Sequence, residues 1–370
     1  MSKSNSSHAK LLLATAALIS APVCHAEDPP ERGSLAIKYL DYFDRQPGTD
    51  RIRVKATAIG LVAPISPEWS MTATTTTDGI SGASPAFHNS AITKMNDRRN
   101  AGDAAFTRYF GDSSVTFGAN YSKESDYISK GLSLQSSFSS EDRNTTWTAG
   151  IGVSNDSINS NNKVAINQSK HVTDLLVGVT QVLTPLDIIQ FNLGVSRATG
   201  YLSDPYKVFD KRPNKQSHTF TTRWNHHLDQ LDASTRFSYR YYGDDWSIRS
   251  HTFGLEYAQS LRDGWSVTPM LRIYSQSAAK FYVDAGPIDF PFPPNPPDGA
   301  QYYSEDQRVS AYGARTYGIK VSKSLGDDWV IDFKYEKYEQ RGQWRLFGDG
   351  SAGLLPFLAR SYQIGLSKAF

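Results

Sequence analysis

Two neighbouring acids and a nearby histidine are the residues best suited to acid–base chemistry. They are Asp244, Asp245 and His251, and a carboxylate paired with an imidazole can activate water for hydrolysis. Adjacent residues of an extended strand point to opposite faces, so the two acids would not act together there. No hydrolase motif accompanies them, which makes a hydrolase at the rim of the fold the weakest of three functional hypotheses.

The sequence contains no recognisable set of ligands for a cofactor or a metal. Its single cysteine is Cys24, close to the N-terminus, and His226 and His227 are adjacent, so a strand would point them apart. No glycine-rich motif that cradles phosphate is present. We therefore predict no cofactor and no metal site.

Mixed charges in polar segments are the larger candidate group. Where several such segments meet around a pore, they can select solutes by field and diameter, or they can pair and brace the rim. We interpret the following residues as polar groups of such a mouth or lumen: Asp78, Arg98, Arg99, Lys123, Glu124, Asp126, Asp204, Lys207, Arg212, Arg240, Asp244, Asp245 and His251. A second group alternates with apolar residues and is predicted to line the lumen: Arg53, Lys55, Arg236, Arg272, Asp332, Lys334 and Glu336.

Strict alternation predicts the strands that would position these charges. In 329–335, Trp329, Ile331 and Phe333 share one face, whereas Asp332 and Lys334 share the other. Segments 188–197 and 233–242 behave in the same way. An apolar face of this length suits a tilted membrane strand, and the opposite face is too polar for the core of a β-sandwich. The pattern favours a transmembrane β-barrel with a hydrated interior.

Connections alternate between short turns and longer polar stretches, as in an outer-membrane barrel. Seven short turns are rich in glycine, proline and aspartate. The longer segments are 44–50, 78–100, 123–126, 155–170, 199–216, 243–245, 275–310 and 339–356. Together they predict an all-β, antiparallel up-and-down barrel of about 16 strands, with 14–18 strands allowed.

The two ends of the chain agree with export to an outer membrane. Basic Lys3 and Lys10 precede an apolar run at 11–23, which predicts a signal peptide at 1–26 cleaved after Ala26; lipidation of Cys24 is the alternative. At the other end Tyr362, Ile364, Leu366 and Phe370 share a face, and a terminal phenylalanine is typical of the signal read by barrel-assembly machinery. Lys368 departs from that pattern.

Three tryptophans that follow short turns, Trp69, Trp265 and Trp329, indicate an aromatic girdle at the periplasmic boundary. The mature chain is formally neutral once Lys3 and Lys10 are removed. A neutral chain argues against a general nucleic-acid-binding surface. We read residues 27–370 as a single barrel domain.

Several segments resemble the family of predicted outer-membrane barrels called domain of unknown function 3570. The matching pieces are DGISGASP at 78–85, DRR at 97–99, YSKESDY at 121–127, NTT at 144–146, GVTQVLTP at 178–185, GYLSDPYK at 200–207 and YRYYGDDWSIRSH at 239–251. The family has no established activity. Its gene neighbourhood implies, by resemblance alone, a link to a periplasmic lipoprotein or to an extracytoplasmic flavin or redox system.

The leading functional hypothesis is a pore or transport-type channel of the Gram-negative outer membrane, with a polar lumen of mixed charge. The alternative is a scaffolding barrel that docks periplasmic or surface partners. The proline-rich stretch at 284–298 could constrict the lumen or project toward such a partner.

Overall fold

A closed antiparallel β-barrel of sixteen strands forms the structure, a computed structural model that describes residues 28–85, 92–207, 210–284, 299–326 and 328–370. The predicted up-and-down barrel is confirmed. Its strands are β1 Ser34–Gln46, β2 Thr49–Ser66, β3 Trp69–Pro85, β4 Ile92–Tyr109, β5 Ser113–Lys123, β6 Tyr127–Ser139, β7 Thr145–Ile158, β8 Gln168–Thr184, β9 Asp187–Gly200, β11 Lys215–Leu228, β12 Ala233–Asp244, β13 Arg249–Ser260, β14 Trp265–Gln276, β16 Tyr312–Leu325, β17 Trp329–Arg341 and β18 Phe357–Ala369.

Two short strands lie outside the barrel wall. They are β10 Asp210–Lys211 and β15 Tyr303–Ser304, which pair antiparallel and join two of the loops. Four 3₁₀ turns complete the described structure: Asp229–Leu231, Arg262–Gly264, Gln307–Val309 and Gly342–Trp344. In the described part of the chain, no helix is both long enough and apolar enough to cross a bilayer.

Pairing between the first and last barrel strands closes the wall. β1 and β18 are in register from Ser34 opposite Ala369 to Arg45 opposite Leu358. The Gly33 amide donates to the Phe370 carbonyl and the Phe370 amide donates to the Gly33 carbonyl, each at 2.9 Å. Every barrel strand thus has two hydrogen-bonded neighbours, which satisfies the backbone inside a membrane.

The two ends of the barrel differ. The start of β1, the end of β18 and seven short turns lie at one end, the turn end, and eight connections that are mostly longer lie at the other, the loop end. In outer-membrane barrels the turns face the periplasm and the longer loops face outward. Trp69, Trp265 and Trp329 all lie on the outer face near the turn end and are 38–46% exposed.

Each of these three tryptophans has a basic side chain beside its ring. Arg108 lies 5.6 Å from the ring centroid of Trp69, and Lys323 lies 5.3 Å from that of Trp265. The Lys368 amine lies 5.3 Å from the centroid of Trp329. A lysine in this position can place its amine at the water boundary, which explains how the terminal strand tolerates it.

Several predicted boundaries need correction. The segment 78–100 was expected to be a loop, but β3 runs to Pro85 and β4 starts at Ile92, so its charged residues lie on strands. β3 and β4 stay paired through these residues, although the low hydropathy of the segment favoured a loop. The segment 1–26, predicted to be a signal peptide, and residues 285–298 of the proline-rich stretch lie outside the described residues.

Candidate functional site

The middle of the lumen carries charged side chains that reach water. Strand register and alternation place Arg236, Glu256 and Arg272 on the inner face, where their side chains are 44%, 40% and 57% exposed. The Arg236 guanidinium donates to the Glu256 carboxylate at 3.1 Å. Inner charges that retain this much exposure indicate a hydrated interior rather than a packed one.

The inner charges are distributed unevenly around the wall. Strands β11–β17 with β1 carry seven cations at mid-depth, Arg223, Arg236, Arg240, Arg272, Lys320, Lys334 and Lys38, with three acids, Glu256, Asp332 and Glu336. On the opposite wall, Asp103 of β4 and Asp174 of β8 face inward at this level. At this level the seven cations therefore lie on one side of the wall, and two of the five acids lie on the other side.

Two predicted lumen charges are wrong. Arg53 and Lys55 lie on the outer face of β2, on the same side as Ile59. The small apolar residues that alternate with them, Val54 and Ala56, face inward and are almost fully buried. The alternation is inverted here because the interior near β1 and β2 is packed, so its apolar residues point in and its charges point out.

Tyrosines form a layer beneath the outer mouth. Tyr42, Tyr242, Tyr274 and Tyr338 face inward, and each hydroxyl donates to the residue two positions further along its strand. The acceptors are Asp44, Asp244, Gln276 and Gln340. This repeated Tyr-x-Asp/Gln spacing is readable in the sequence, although our sequence analysis did not use it.

The long loop at 277–311, in its described part, folds onto the inner side of the barrel. The inward-facing Gln276 amide donates to the backbone carbonyls of Ser310 at 2.6 Å and Arg308 at 3.1 Å. Across the mouth, the Gln46 amide of β1 donates to Gln307 at 3.4 Å. Because both glutamines point into the lumen, the described part of this loop covers the outer end of the lumen.

A small apolar cluster fixes that loop. Phe281, Ala279 and Val309 of the 277–311 loop pack on Trp246 and Ile248 of the neighbouring 245–248 loop. The rings of Trp246 and Phe281 meet edge to face at 5.2 Å between centroids. These contacts bury apolar surface at the loop end and so favour the covered mouth.

Five charged residues form a buried ionic cluster between the 201–214 loop and the 277–311 loop, which we call the latch: Asp204, Asp210, Arg212, Asp306 and Arg308. Arg212 donates to Asp210 at 2.8 Å and to Asp306 at 2.9 Å. Arg308 pairs with both Asp204 and Asp306. β10 and β15 add backbone hydrogen bonds between the same two loops.

Two charges of the latch, those of Asp306 and Arg308, are stabilised in their ionised forms by their partners. Burial favours the protonated form of Asp306, but the Arg308 and Arg212 guanidiniums outweigh burial and hold the pKa of that carboxyl well below its usual range. Burial opposes the charge of Arg308, yet Asp306 and Asp204 raise its pKa. The latch therefore joins the 201–214 loop to the 277–311 loop through ion pairs whose partners come from both loops.

One acid beside the latch is not compensated in this way. Burial raises the pKa of Glu305 to about 7, against the opposing effect of Lys207. Its Oε1 atom is buried and makes no hydrogen bond to the described residues. Glu305 therefore changes charge near neutral pH at the covered mouth.

The other predicted mouth residues fall into separate groups. Asp78 and Arg99 form a buried inner ion pair at 2.8 Å, which matches the bracing interpretation. Glu124 and Asp126 lie with Asp97, their carboxylate oxygens within 4.8 Å of one another, and Tyr206 donates to Asp126. Arg98 and Lys123 lie on the outer face of the rim, contrary to a role in the lumen, because β4 and β5 alternate the other way.

The proposed acid–base pair is not assembled. His251 lies on the outer face of β13, where its Nδ1 is 2.8 Å from the Tyr239 hydroxyl. Asp244 points inward and accepts hydrogen bonds from Tyr242 and from the Ile248 amide. Among the described residues, no hydrogen bond joins His251 to Asp244 or Asp245.

Residues that our sequence analysis missed complete the latch. Asp210, Asp306 and Arg308 were not singled out, and only Asp204 and Arg212 were. The contacts of the latch join positions 94 and 104 residues apart. Residues this far apart in the sequence form no local motif that could predict the contact. Alternation locates strands but carries no information on how loops fold back.

Comparisons with known proteins agree with the fold. CdiB from Acinetobacter baumannii matches with a TM-score of 0.50 and 10% identity over 90% of this chain, which spans 60% of CdiB. OccD3 (OpdP) of Pseudomonas aeruginosa matches at 0.45 and 9% identity, over 100% of this chain and 99% of that one. The CymD monoaromatic hydrocarbon channel matches at 0.46 and 10% identity, over 92% and 89%.

A search of curated proteins found no match. A family model matches residues 90–169 and 159–362. The fold, a closed β-barrel, thus resembles that of CdiB, and the chain belongs to the family described as protein of unknown function (DUF3570).

Proposed function

We propose that the protein is an outer-membrane channel for small anionic solutes, closed at its outer mouth by the latch. The observation that carries this proposal is the contrast along the barrel axis. At mid-depth the lumen has exposed charges such as Arg272, whereas at the loop end Asp306 is only 1% exposed. A hydrated lumen beneath a covered mouth suits a channel that opens when its loops move.

The uneven charge of the wall supports the solute class. Seven cations face the lumen at mid-depth against five acids, three on the same wall and two opposite. Arg223, Arg240 and Lys320 make no ion pair with any described residue. In a confined aqueous path, unpaired cations on one wall attract anions and raise their local concentration.

Conductance in planar bilayers tests the proposal. A folded, heat-modifiable barrel should conduct, and under a potassium chloride gradient its reversal potential should indicate a preference for chloride. Arg272→Gln should reduce that preference because it removes an exposed inner cation. Arg197→Gln is the matched control, since Arg197 is exposed on the outer face of β9. A folded barrel that fails to conduct, whether the latch is intact or disrupted, would contradict the proposed channel.

A further inference from the structure

Basic residues are concentrated on the outer face of the loop end, across β16, β17, β18, β1 and β2. We call this surface the rim patch. Its cations are Arg315, Lys337, Arg341, Arg360, Arg45, Arg53 and Lys55, and its acids are Glu339, Asp41 and Asp50. The surplus of positive charge faces away from the lumen, so the channel proposed above does not account for it.

The rim patch lies directly beyond the lipid-facing band. On the same strands, Tyr39, Tyr317, Tyr335 and Tyr362 end the apolar outer face, and the rings of Tyr335 and Tyr362 are 5.1 Å apart. Trp329 at the turn end and Lys337 are separated along β17 by about 27 Å at roughly 3.4 Å per residue, or about 21 Å across the membrane at a strand tilt of about 40°. The cations therefore reach the level of the outer-leaflet head groups.

Two adjacent cations of the rim patch have no ion-pair partner among the described residues. Lys337 and Arg360 stand directly opposite each other in the pairing of β17 with β18, and like charges in that position destabilise a sheet. Arg53 pairs with Asp41, but neither Lys337 nor Arg360 forms an ion pair with any described residue. An external anion would relieve this repulsion.

The neighbouring 342–356 loop supplies an apolar contact with the same membrane level. Trp344 lies between two cations of the patch, with the Arg315 and Arg341 guanidiniums 4.3 Å and 5.1 Å from its ring. Leu346 and Phe347 of this loop are 48% and 59% exposed. An indole flanked by guanidiniums and exposed apolar side chains is typical of a membrane interface.

We propose that the rim patch binds the phosphate groups of outer-leaflet lipids. The ligand chemistry is a phosphorylated head group attached to acyl chains, because cations stand above a lipid-facing apolar surface. Phosphate oxygens accept the bidentate hydrogen bonds that arginine donates. This proposal is independent of the channel and stands even if the barrel does not conduct.

Lipid binding to the purified, delipidated barrel tests the proposal, with lipid A as the probe and phosphatidylethanolamine and inorganic phosphate as comparisons. The test variant is Lys337→Gln/Arg360→Gln. Each basic residue near an anionic lipid surface contributes about 1 kcal/mol, so lipid A affinity should fall about 30-fold at about 1.4 kcal/mol per tenfold. The matched control, Lys123→Gln/Lys130→Gln, removes two outward cations at the loop end of β5 and β6 and should change affinity little.

Heat-modifiable migration on gels verifies that both variants fold. Tight lipid A binding, a selective loss in the test variant and weak binding of phosphatidylethanolamine support the rim patch. An equal loss in both variants, or no loss in either, overturns it. Saturation of the patch by inorganic phosphate in competition with lipid A would instead assign it to free anions and overturn the lipid proposal.

Discussion

Replacing Arg308 by glutamine should open the outer mouth. Arg308 bridges Asp204 of one loop and Asp306 of the other, and its side chain is 19% exposed. Without it, the three acids of the latch share a single guanidinium, that of Arg212. The variant therefore leaves uncompensated carboxylates buried in the closed state, whereas water solvates them once the loops separate.

The magnitude follows from the burial of the latch. Removing one partner of a buried ion pair costs about 3–5 kcal/mol. If open loops expose the latch to water, this whole cost falls on the closed state. The ratio of closed to open mouths should then fall by about 100- to 4,000-fold, since about 1.4 kcal/mol corresponds to a factor of ten.

Single-channel recording in planar bilayers measures this ratio as an open probability. Arg262→Gln, in the exposed turn between β13 and β14, removes the same charge at the turn end and should leave gating unchanged. The defect of Arg308→Gln should diminish at acidic pH, because protonation of the stranded carboxylates again favours the closed state. An Arg308→Gln barrel that folds normally and gates like the parent protein would refute the latch as the closing device.

Three further outcomes are expected. Burial raises the pKa of Glu305 to about 7. The closed mouth should therefore be most stable below the ordinary carboxyl pKa and should lose stability as pH rises through about 7, so that the open probability increases. Glu305→Gln should remove this pH dependence of the open probability. Phe370→Ala should impair outer-membrane assembly more than Lys368→Ala, and equal, normal yields of folded barrel from both would exclude a role for the terminal residue. Asp78→Asn should destabilise the barrel by about 3–5 kcal/mol, since Arg99 would be left buried without that partner; a lower urea midpoint for loss of the heat-modifiable form measures this.

The barrel could be predicted from the sequence because the membrane imposes a period of two on each strand. In β17, Ile331 and Phe333 must face lipid, so Asp332 and Lys334 must face the lumen. The short turns can also be predicted from the sequence, since the backbone geometry of a turn favours glycine, proline and aspartate. Strand number and order therefore followed from local chemistry alone.

The same rule fails where the interior is packed. On β2, Ala56 and Ala58 pack inside the wall beside Leu40 of β1, and Val54 packs there against Ile80 of β3. Arg53 and Lys55 of β2 therefore point outward. Alternation indicates that a strand has two faces, but the packing inside the barrel decides which one points in. The placement of Arg53 and Lys55 could not be predicted without that packing.

Loops escape prediction for a different reason. The latch joins Asp204 to Arg308 and Arg212 to Asp306, pairs separated by 104 and 94 positions. Each residue alone resembles any solvated charge in a polar segment. They become partners only because the two loops fold back toward each other at the loop end, where Trp246 and Phe281 also make an apolar contact.

At the loop end, the paired barrel strands form a fixed rim, and the 277–311 loop forms a cover that can separate from it. The 342–356 loop is hydrogen-bonded to the cover through Ser351, whose amide donates to the Ala311 carbonyl and whose hydroxyl accepts from the Ala311 amide, both at 2.9 Å. Those bonds lie at the foot of the 277–311 loop, beside β16, whereas Arg308 lies further along it. Lipid bound by the rim patch would therefore fix the end of the 277–311 loop beside β16, while the ion pairs of the latch could still separate. Opening then needs no barrel strand to unpair, because the β10–β15 pair connects two loops and the hydrogen bonds from Gln276 and Gln46 to the 277–311 loop come from side chains.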